Sequence, residues 1–344
     1  MGCGEVTRFK HLPALRRVPG VEVAAIADLE ADKRDAVGDR FGIAQRFTDV
    51  EALLRGAELD AVGVCVQPSR HAEVALAALQ AGKHVWIDEP LALDHGQGAA
   101  LVESSRGANL RVMVGSHMRF HRLAQAALPV LRRGALGRIE SIRSVWNSPR
   151  RDEAVPAWCR RRAEGGGVLV EIGVQHVDLW RYLLGSEVHE VFAKSRNGTR
   201  EDESAVVSAV LANGVLAVAI LSERTSHAIE VEIAGDRGRL RLDLLRFDGL
   251  ELFSAADVPG RPATRVKRLW SFFRALPAGV ASAAIGGSGY LDSYRVAWSH
   301  FIDGIAENKP VEPTPEEGLR ATEIMLAAVE SRATGRPVLL KEWR

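Results

Sequence analysis

The sequence predicts an α/β protein in two parts, a parallel-sheet unit over residues 1–118 and a second α/β unit over 119–344 with an open, mostly antiparallel sheet. Three observations predict it. The chain has 344 residues, roughly twice the ~150 of a usual domain. Its first third alternates short apolar runs with stretches of helical periodicity, the pattern of strand–helix–strand crossovers. Beyond about Gly137 the apolar runs follow one another directly, joined by tight-turn residues.

In chain order, residues 21–27, 61–66, 84–87 and 110–114 read as strands. Their hydrophobicity is continuous rather than alternating, as in a sheet covered on both faces. Residues 30–41 and 71–81 read as crossover helices. In the second part, strands are expected over 138–146, 188–193, 204–211, 215–221, 228–234 and 239–244, with Asn213-Gly214 and Asp236-Arg237-Gly238 as turns. A helix over 169–184 is embedded among them, and helices over 290–307 and 316–332 follow. The last starts behind Thr314-Pro315-Glu316-Glu317, where a capping hydroxyl, a first-turn proline and two carboxylates suit a helix start.

Composition excludes several function classes. Lys plus Arg number 45 against 44 Asp plus Glu, a net charge of +1, so there is no basic field for nucleic acid. No apolar run reaches the ~18 residues of a membrane span, and Met1 is followed by Gly2, Cys3, Gly4 and Glu5 rather than a signal peptide, so a cytoplasmic protein is expected. Cys3, Cys65 and Cys159 lack metal-ligand spacing, which predicts free thiols, no disulfide and no metal. The basic, amphipathic segment 267–274 reads as packing against the sheet or a partner subunit rather than a membrane.

The chemistry-bearing signal opens the chain. Gly2-Cys3-Gly4-Glu5-Val6-Thr7 fits the first part of G-x-G-x-x-G, with Thr7 in the third position. The two glycines permit a tight turn and close approach of a pyrophosphate, which the amides of Gly4, Glu5 and Val6 at the helix start would bind. Asp28, 24 residues past Gly4, follows the next strand at nearly the ~20-residue offset of a ribose-binding carboxylate. These features predict a Rossmann domain, and a carboxylate that repels a 2′-phosphate predicts NAD rather than NADP.

Longer stretches then line up in order. They are Gly2 to Thr7 followed by His11-Leu12-Pro13, Gly82-Lys83-His84-Val85 with Glu89-Pro90-Leu91-Ala92, Met118-Arg119-Phe120, Gly165-Gly166-Gly167, Asp178-Leu179-Trp180-Arg181, and Pro313-Thr314-Pro315-Glu316-Glu317-Gly318. In this order they resemble the Gfo/Idh/MocA oxidoreductases along the whole chain. The resemblance implies NAD(P)-dependent hydride transfer on a sugar, cyclitol or nucleotide sugar, and a homodimer or homotetramer built through the C-terminal sheet. It also implies that Gln67, Pro68 and His71, with Glu89 and Pro90 across an expected cis peptide, are further cofactor contacts. Arg119, Gln175 and His176 become candidate substrate contacts.

The departures bear on catalysis. The family's Glu-Lys-Pro is Asp88-Glu89-Pro90 here, so a carboxylate stands where a cationic lysine is usual. Its Asp-x-Gly-x-His becomes Glu171-Ile172-Gly173-Val174-Gln175, with a non-titrating amide in the place of the base. The candidate catalytic residues are therefore Glu89, Glu171, Gln175 and, after the strand 110–114, His117. In one continuous helix Glu171 and Gln175 share a face, and His176 turns ~140° away from Glu171, which reads as a packed or surface histidine. Arg150-Arg151 and Arg160-Arg161-Arg162 read as solvated loop charges rather than an anion cradle. A redox-inactive cofactor-binding sensor or partner protein of the same fold, or an NAD-retaining lyase or hydrolase, stands as the alternative function. Only Met1 precedes Gly2, so the first, central Rossmann strand is expected to be missing, leaving unpaired backbone groups beside the strands that begin near Val21 and Ala61.

Overall fold

The computed structural model describes residues 1–107, 109–257, 261, 262, 266 and 289–341; the basic segment 267–274 lies outside them. The chain divides into two units that are not contiguous in sequence. The first is Met1–His117 with Ala163–Gly165 and Tyr294–Glu323, the second Met118–Arg162 with Gly166–Ser293 and Ile324–Arg344. The first boundary, between His117 and Met118, lies within a residue of the expected one, and the later stretch Tyr294–Glu323 groups with the first unit. The stretch Tyr294–Glu323 rejoins the first unit because Trp298 stacks on Trp86, ring centroids 4.0 Å apart, and Pro313 accepts a hydrogen bond from the backbone of Val114.

In the first unit, β1 (Ala25–Ala27) pairs in parallel with β2 (Gln45–Phe47). Separately, β3 (Ala61–Val64), β4 (His84–Ile87) and β5 (Val112–Val114) form a parallel sheet in that order. Strand β2 escapes a hydropathy reading because Gln45 and Arg46 are polar. The helices Val50–Gly56 and His95–Arg106, also unread in the sequence, start at Asp49 and Asp94, whose side chains accept from the amides of Ala52 and Gln97 at 2.8 Å. Val62, Val64, Val85, Ile87, Leu91 and Val114 build one buried core. Cys3, Leu12, Ile26, Val37 and Ile43 build a second.

Between β1 and β3 the expected central gap is bridged by the first two residues. The Met1 ammonium donates to Gly63 O at 2.6 Å, Cys65 N donates to Met1 O at 2.9 Å, and Gly2 N donates to Ala27 O at 2.9 Å. Met1 and Gly2 thus give backbone groups of Ala27, Gly63 and Cys65 their hydrogen-bond partners.

The second unit carries an eight-stranded sheet. Its strands are β6 (Ile139–Asn147), β7 (Val188–Arg196), β8 (Ser204–Leu211), β9 (Leu216–Ser222), β10 (Ala228–Gly235), β11 (Gly238–Asp243), β12 (Leu250–Ser254) and β13 (Val338–Leu339), in the order β12-β11-β10-β6-β9-β8-β7-β13. β6 and β9 run parallel, and the other neighbours antiparallel. Along β8 and β9 burial alternates as in a sheet with one covered face: Ala205, Val207, Ala217 and Ala219 are buried, while Val206, Leu216 and Ile220 are 45%, 58% and 42% exposed. The helix expected over 169–184 is two helices, Val168–Glu171 and Gly173–Leu184, broken at Ile172. No helix among the described residues is long and apolar enough to cross a membrane.

Gly2 holds a left-handed φ of +88°, and a Cβ built on it runs into the carbonyl of Cys65, whereas one on Gly4 meets nothing within 4 Å. Gly2→Ala is expected to cost roughly 3 kcal/mol of unfolding free energy. Gly4→Ala should stay within about 0.5 kcal/mol of the parent. Urea titration of the two variants checks this, and equal losses would refute it.

Candidate active site

Parallel strands place their ligand-binding residues at their carboxyl ends. Here those ends deliver Asp28 after β1, Cys65 and Gln67 after β3, Asp88 and Glu89 after β4, and Ser116 and His117 after β5.

The cofactor candidates fit a dinucleotide. The open space over Gly4 lets an anion approach the backbone at the start of the helix, where Glu5 and Val6 are exposed and unsatisfied amides gather. Thr7 fills the third glycine position by donating its hydroxyl to Gly2 O at 2.7 Å. A π-helical turn, Thr7–His11, follows. Asp28 is fixed at the end of β1 because Cys3 N and Glu30 N donate to its two oxygens at 2.6 and 2.8 Å. Each oxygen keeps a further lone pair for a ribose hydroxyl. Gln67 donates to the Ser69 hydroxyl at 3.0 Å, and Pro68 is buried. His71, 1% exposed, has its ring nitrogens 2.7 Å from Pro90 O and 2.9 Å from Val66 O. It ties the ends of β3 and β4 together, a role the sequence did not disclose. The Glu89–Pro90 peptide is cis.

Behind this rim lies a cluster that sequence reading missed. Trp298 Nε1 donates to His11 Nδ1 at 3.0 Å, His11 Nε2 lies 2.8 Å from Asp88 Oδ2, and Trp86 Nε1 donates to Asp88 Oδ1 at 3.0 Å. Burial raises the pKa of Asp88, but His11 and Trp86 outweigh it and hold the carboxyl below its ordinary range. Burial disfavours an imidazolium at His11, but Asp88 and then Cys65 favour one and, by charge alone, would carry the ring's pKa up to about 10. The indole decides between them. It can only donate, and an imidazolium would set two N–H groups face to face. The ring is therefore neutral, with its hydrogen on Nε2 and directed at Asp88.

His11, Cys65 and Asp88 place metal-type ligand atoms within 4.8 Å of one another. A neutral histidine that ligates through Nε2 needs its hydrogen on Nδ1, which Trp298 forbids. Both ring nitrogens of His11 are thus taken by Asp88 and Trp298.

Among the catalytic candidates of this unit, Glu89 accepts from the Ser116 hydroxyl at 2.6 Å. His117 is 2% exposed and stacks on Tyr294 at 4.1 Å.

The remaining candidates lie in the second unit. Glu171 is held bidentately by Arg150 at 3.0 and 2.9 Å, and the same guanidinium reaches Glu223 at 2.8 Å. Arg162 pairs with Asp202 at 2.5 Å, and Arg160 donates to Asp152 O at 2.7 Å. Arg150, Arg160 and Arg162 are thus engaged by internal partners, which corrects the reading of solvated charges for these three, whereas Arg151 and Arg161 are exposed. Arg119 is equally committed, with Nε and Nη2 2.7 and 2.5 Å from the Asp178 carboxylate in a pair at most 5% exposed. Breaking such a buried pair would carry a large cost. Because the helix breaks at Ile172, Glu171 and Gln175 sit on separate helices. The Gln175 amide nitrogen reaches Glu171 O at 3.4 Å, and its Oε1 is buried with no partner. His176 is fully buried, and neither ring nitrogen has a hydrogen-bond partner.

Comparison with known proteins accords with this geometry. Residues 1–116 match a family model described as the oxidoreductase family, NAD-binding Rossmann fold; 124–241 match the GFO/IDH/MocA C-terminal domain, and 286–340 the oxidoreductase family C-terminal alpha/beta domain. The chain is 26% identical to the myo-inositol 2-dehydrogenase of Thermotoga maritima over 99% of its own length and 98% of that protein's. It is 30% identical to a dTDP-3,4-didehydro-2,6-dideoxy-alpha-D-glucose 3-reductase of Actinomadura kijaniata, covering 70% and 72%. In fold it matches a levoglucosan dehydrogenase in complex with NADH and levoglucosan, with a TM-score of 0.82, 24% identity, and 98% and 97% of the two chains covered.

Burial pushes the pKa of His176 down to about 4 from the ordinary 6.5. Neutral His176 therefore favours the folded chain fully above pH 6.5. As the pH falls from there to about 4, the unfolded chain takes up the proton first and stability drains, by roughly 3 kcal/mol at most. His176→Leu should flatten this part of the stability–pH curve in urea unfolding, and an unchanged slope would count against the assignment.

Proposed function

The chain belongs to the Gfo/Idh/MocA oxidoreductase family, and from that premise we propose that it is an NAD-dependent enzyme moving hydride to or from the CH–OH carbon of a sugar, cyclitol or nucleotide sugar. The amides of Gly4, Glu5 and Val6 hold the pyrophosphate and Asp28 holds the adenosine ribose, with its charge set against a 2′-phosphate. NAD in that cradle supplies the hydride acceptor or donor. Glu89 takes the hydroxyl proton during oxidation and returns it during reduction.

The observation that carries this reading is the carboxylate at the end of β4, held by Ser116, where the family resemblance implies a lysine. A carboxylate accepts a proton as a general base, but, unlike lysine, it lends no positive charge to an alkoxide. Gln175, which cannot titrate, favours a second reading in which the protein binds NAD without turning over a substrate.

Production of NADH, followed by absorbance over a panel of sugars, cyclitols and nucleotide sugars, separates the two. Turnover that falls about 100-fold or more in Glu89→Gln supports the base role. Tight NAD binding with no turnover of any compound supports the second reading.

We also propose that two or four copies associate through the exposed face of the second unit's sheet. Val206 and Ile220 are direct cross-strand neighbours on that face, and Leu216 extends the stripe. Light scattering should return a multiple of the 37.4 kDa chain mass, and Ile220→Lys should reduce it to one chain. A monomeric parent protein would refute the assembly.

A further inference from the structure

We propose that Ser116 is a positioning residue for Glu89, holding one oxygen of its carboxylate and stabilising the ionised form in which Glu89 accepts a proton. The inference deepens the reading of Glu89 as the proton acceptor and rests on it.

The placement of Ser116 is enforced from both sides. Its hydroxyl donates to Glu89 Oε1 at 2.6 Å, and the residue is 2% exposed. A short bond from a hydroxyl to a carboxylate is among the stronger hydrogen bonds of a protein. The backbone that carries it is tied to the end of the sheet, since Gly115 N donates to Ile87 O on β4 at 2.7 Å, and Ser116 N then turns back to Val114 O at 2.9 Å. Gly115 makes this approach possible. A Cβ there would lie 2.9 Å from Asp88 Oδ1 and 3.0 Å from the Trp86 ring, so a larger residue would push the end of β5 away from β4 and carry Ser116 off Glu89. The neighbouring acid takes no part in this bond, because Asp88 faces the indole of Trp86 and the imidazole of His11. Two consecutive carboxylates are thus served by two separate sets of donors, and the set serving Glu89 includes Ser116.

A hydroxyl has one hydrogen to give. Donated to Oε1, it favours the charged carboxylate over the neutral acid, so that Ser116 sets how strongly Glu89 draws a proton. Removing a donor of this kind raises the midpoint of a carboxyl by about one pH unit.

The test needs no substrate. The intact protein is labelled with 13C at the glutamate side-chain carboxyls, and the Glu89 signal is assigned by its absence in Glu89→Gln. It is then titrated in the parent and in Ser116→Ala, a change that deletes one oxygen. The other ionisable groups of this rim, Asp88, His11, His71 and His117, are common to both proteins and cancel in the comparison. The expected result is a Glu89 midpoint about one unit higher in Ser116→Ala. An unmoved midpoint overturns the proposal. Loss of turnover in Glu89→Gln together with an unmoved midpoint in Ser116→Ala would leave Glu89 as the base and remove Ser116 alone. Unaltered turnover in Glu89→Gln would remove the base role, and the proposal with it.

Discussion

Asp88 holds a negative charge only 19% exposed at the carboxyl end of β4, and the rim of the first unit is organised around serving it. A buried carboxylate without partners costs several kcal/mol. Here the two oxygens take a hydrogen bond each from His11 and Trp86, and His11 is fixed in turn by Trp298. Three consequences descend from that chain of donors. The tautomer of His11 is settled, the stretch bearing Trp298 is bound to the first unit, and Glu89, next in sequence, is left to a different donor.

The second unit solves its charge problem by crowding. Arg150 spans Glu171 and Glu223, and Arg200, 1% exposed, lies 2.9 Å from Glu223. Burial raises the pKa of Glu223 in spite of these arginines, whereas the Glu203 carboxyl, bonded by Arg224, is pulled down to about 2. Glu171 is thereby an anchored ion-pair partner. The residue in the family's acidic position is retained but given to structure, and Gln175 beside it has no proton to exchange.

Much of this was legible in the sequence because it is local. The glycine turn, the offset to Asp28, the strands 84–87 and 204–211, and the capped helix behind Thr314 each declare themselves within about 25 residues. The edge strands β2, β12 and β13 did not, since short strands at a sheet's rim need no apolar run to be stable. The break at Ile172 was also hidden, because either one helix or two satisfies the same periodicity. What the sequence could not show was pairing across distance. His11 and Trp298 are 287 positions apart, Ser116 and Glu89 are 27 apart, and neither pair follows a spacing rule. His176 is the instructive middle case: helical geometry turned it away from Glu171, and it is in fact buried, although the single helix assumed in that argument does not exist.

The interleaving of the two units has a consequence for how the molecule is made. A ribosome delivers the chain from its amino end at about 5–20 residues per second, and domains tend to fold as they emerge. The first unit cannot do so. Its strands are complete by Val114, but Tyr294, Trp298 and Pro313 arrive only after seven of the eight strands of the second sheet, β6 to β12, have been synthesised. Until then Trp86 lacks its stacking partner and His11 its fixed donor. While Met118 to Ser293 emerges both units are therefore unfinished, the first awaiting Tyr294–Glu323 and the second Ile324–Arg344, and the indole of Trp86, still without its partner, is a surface in need of protection during that interval.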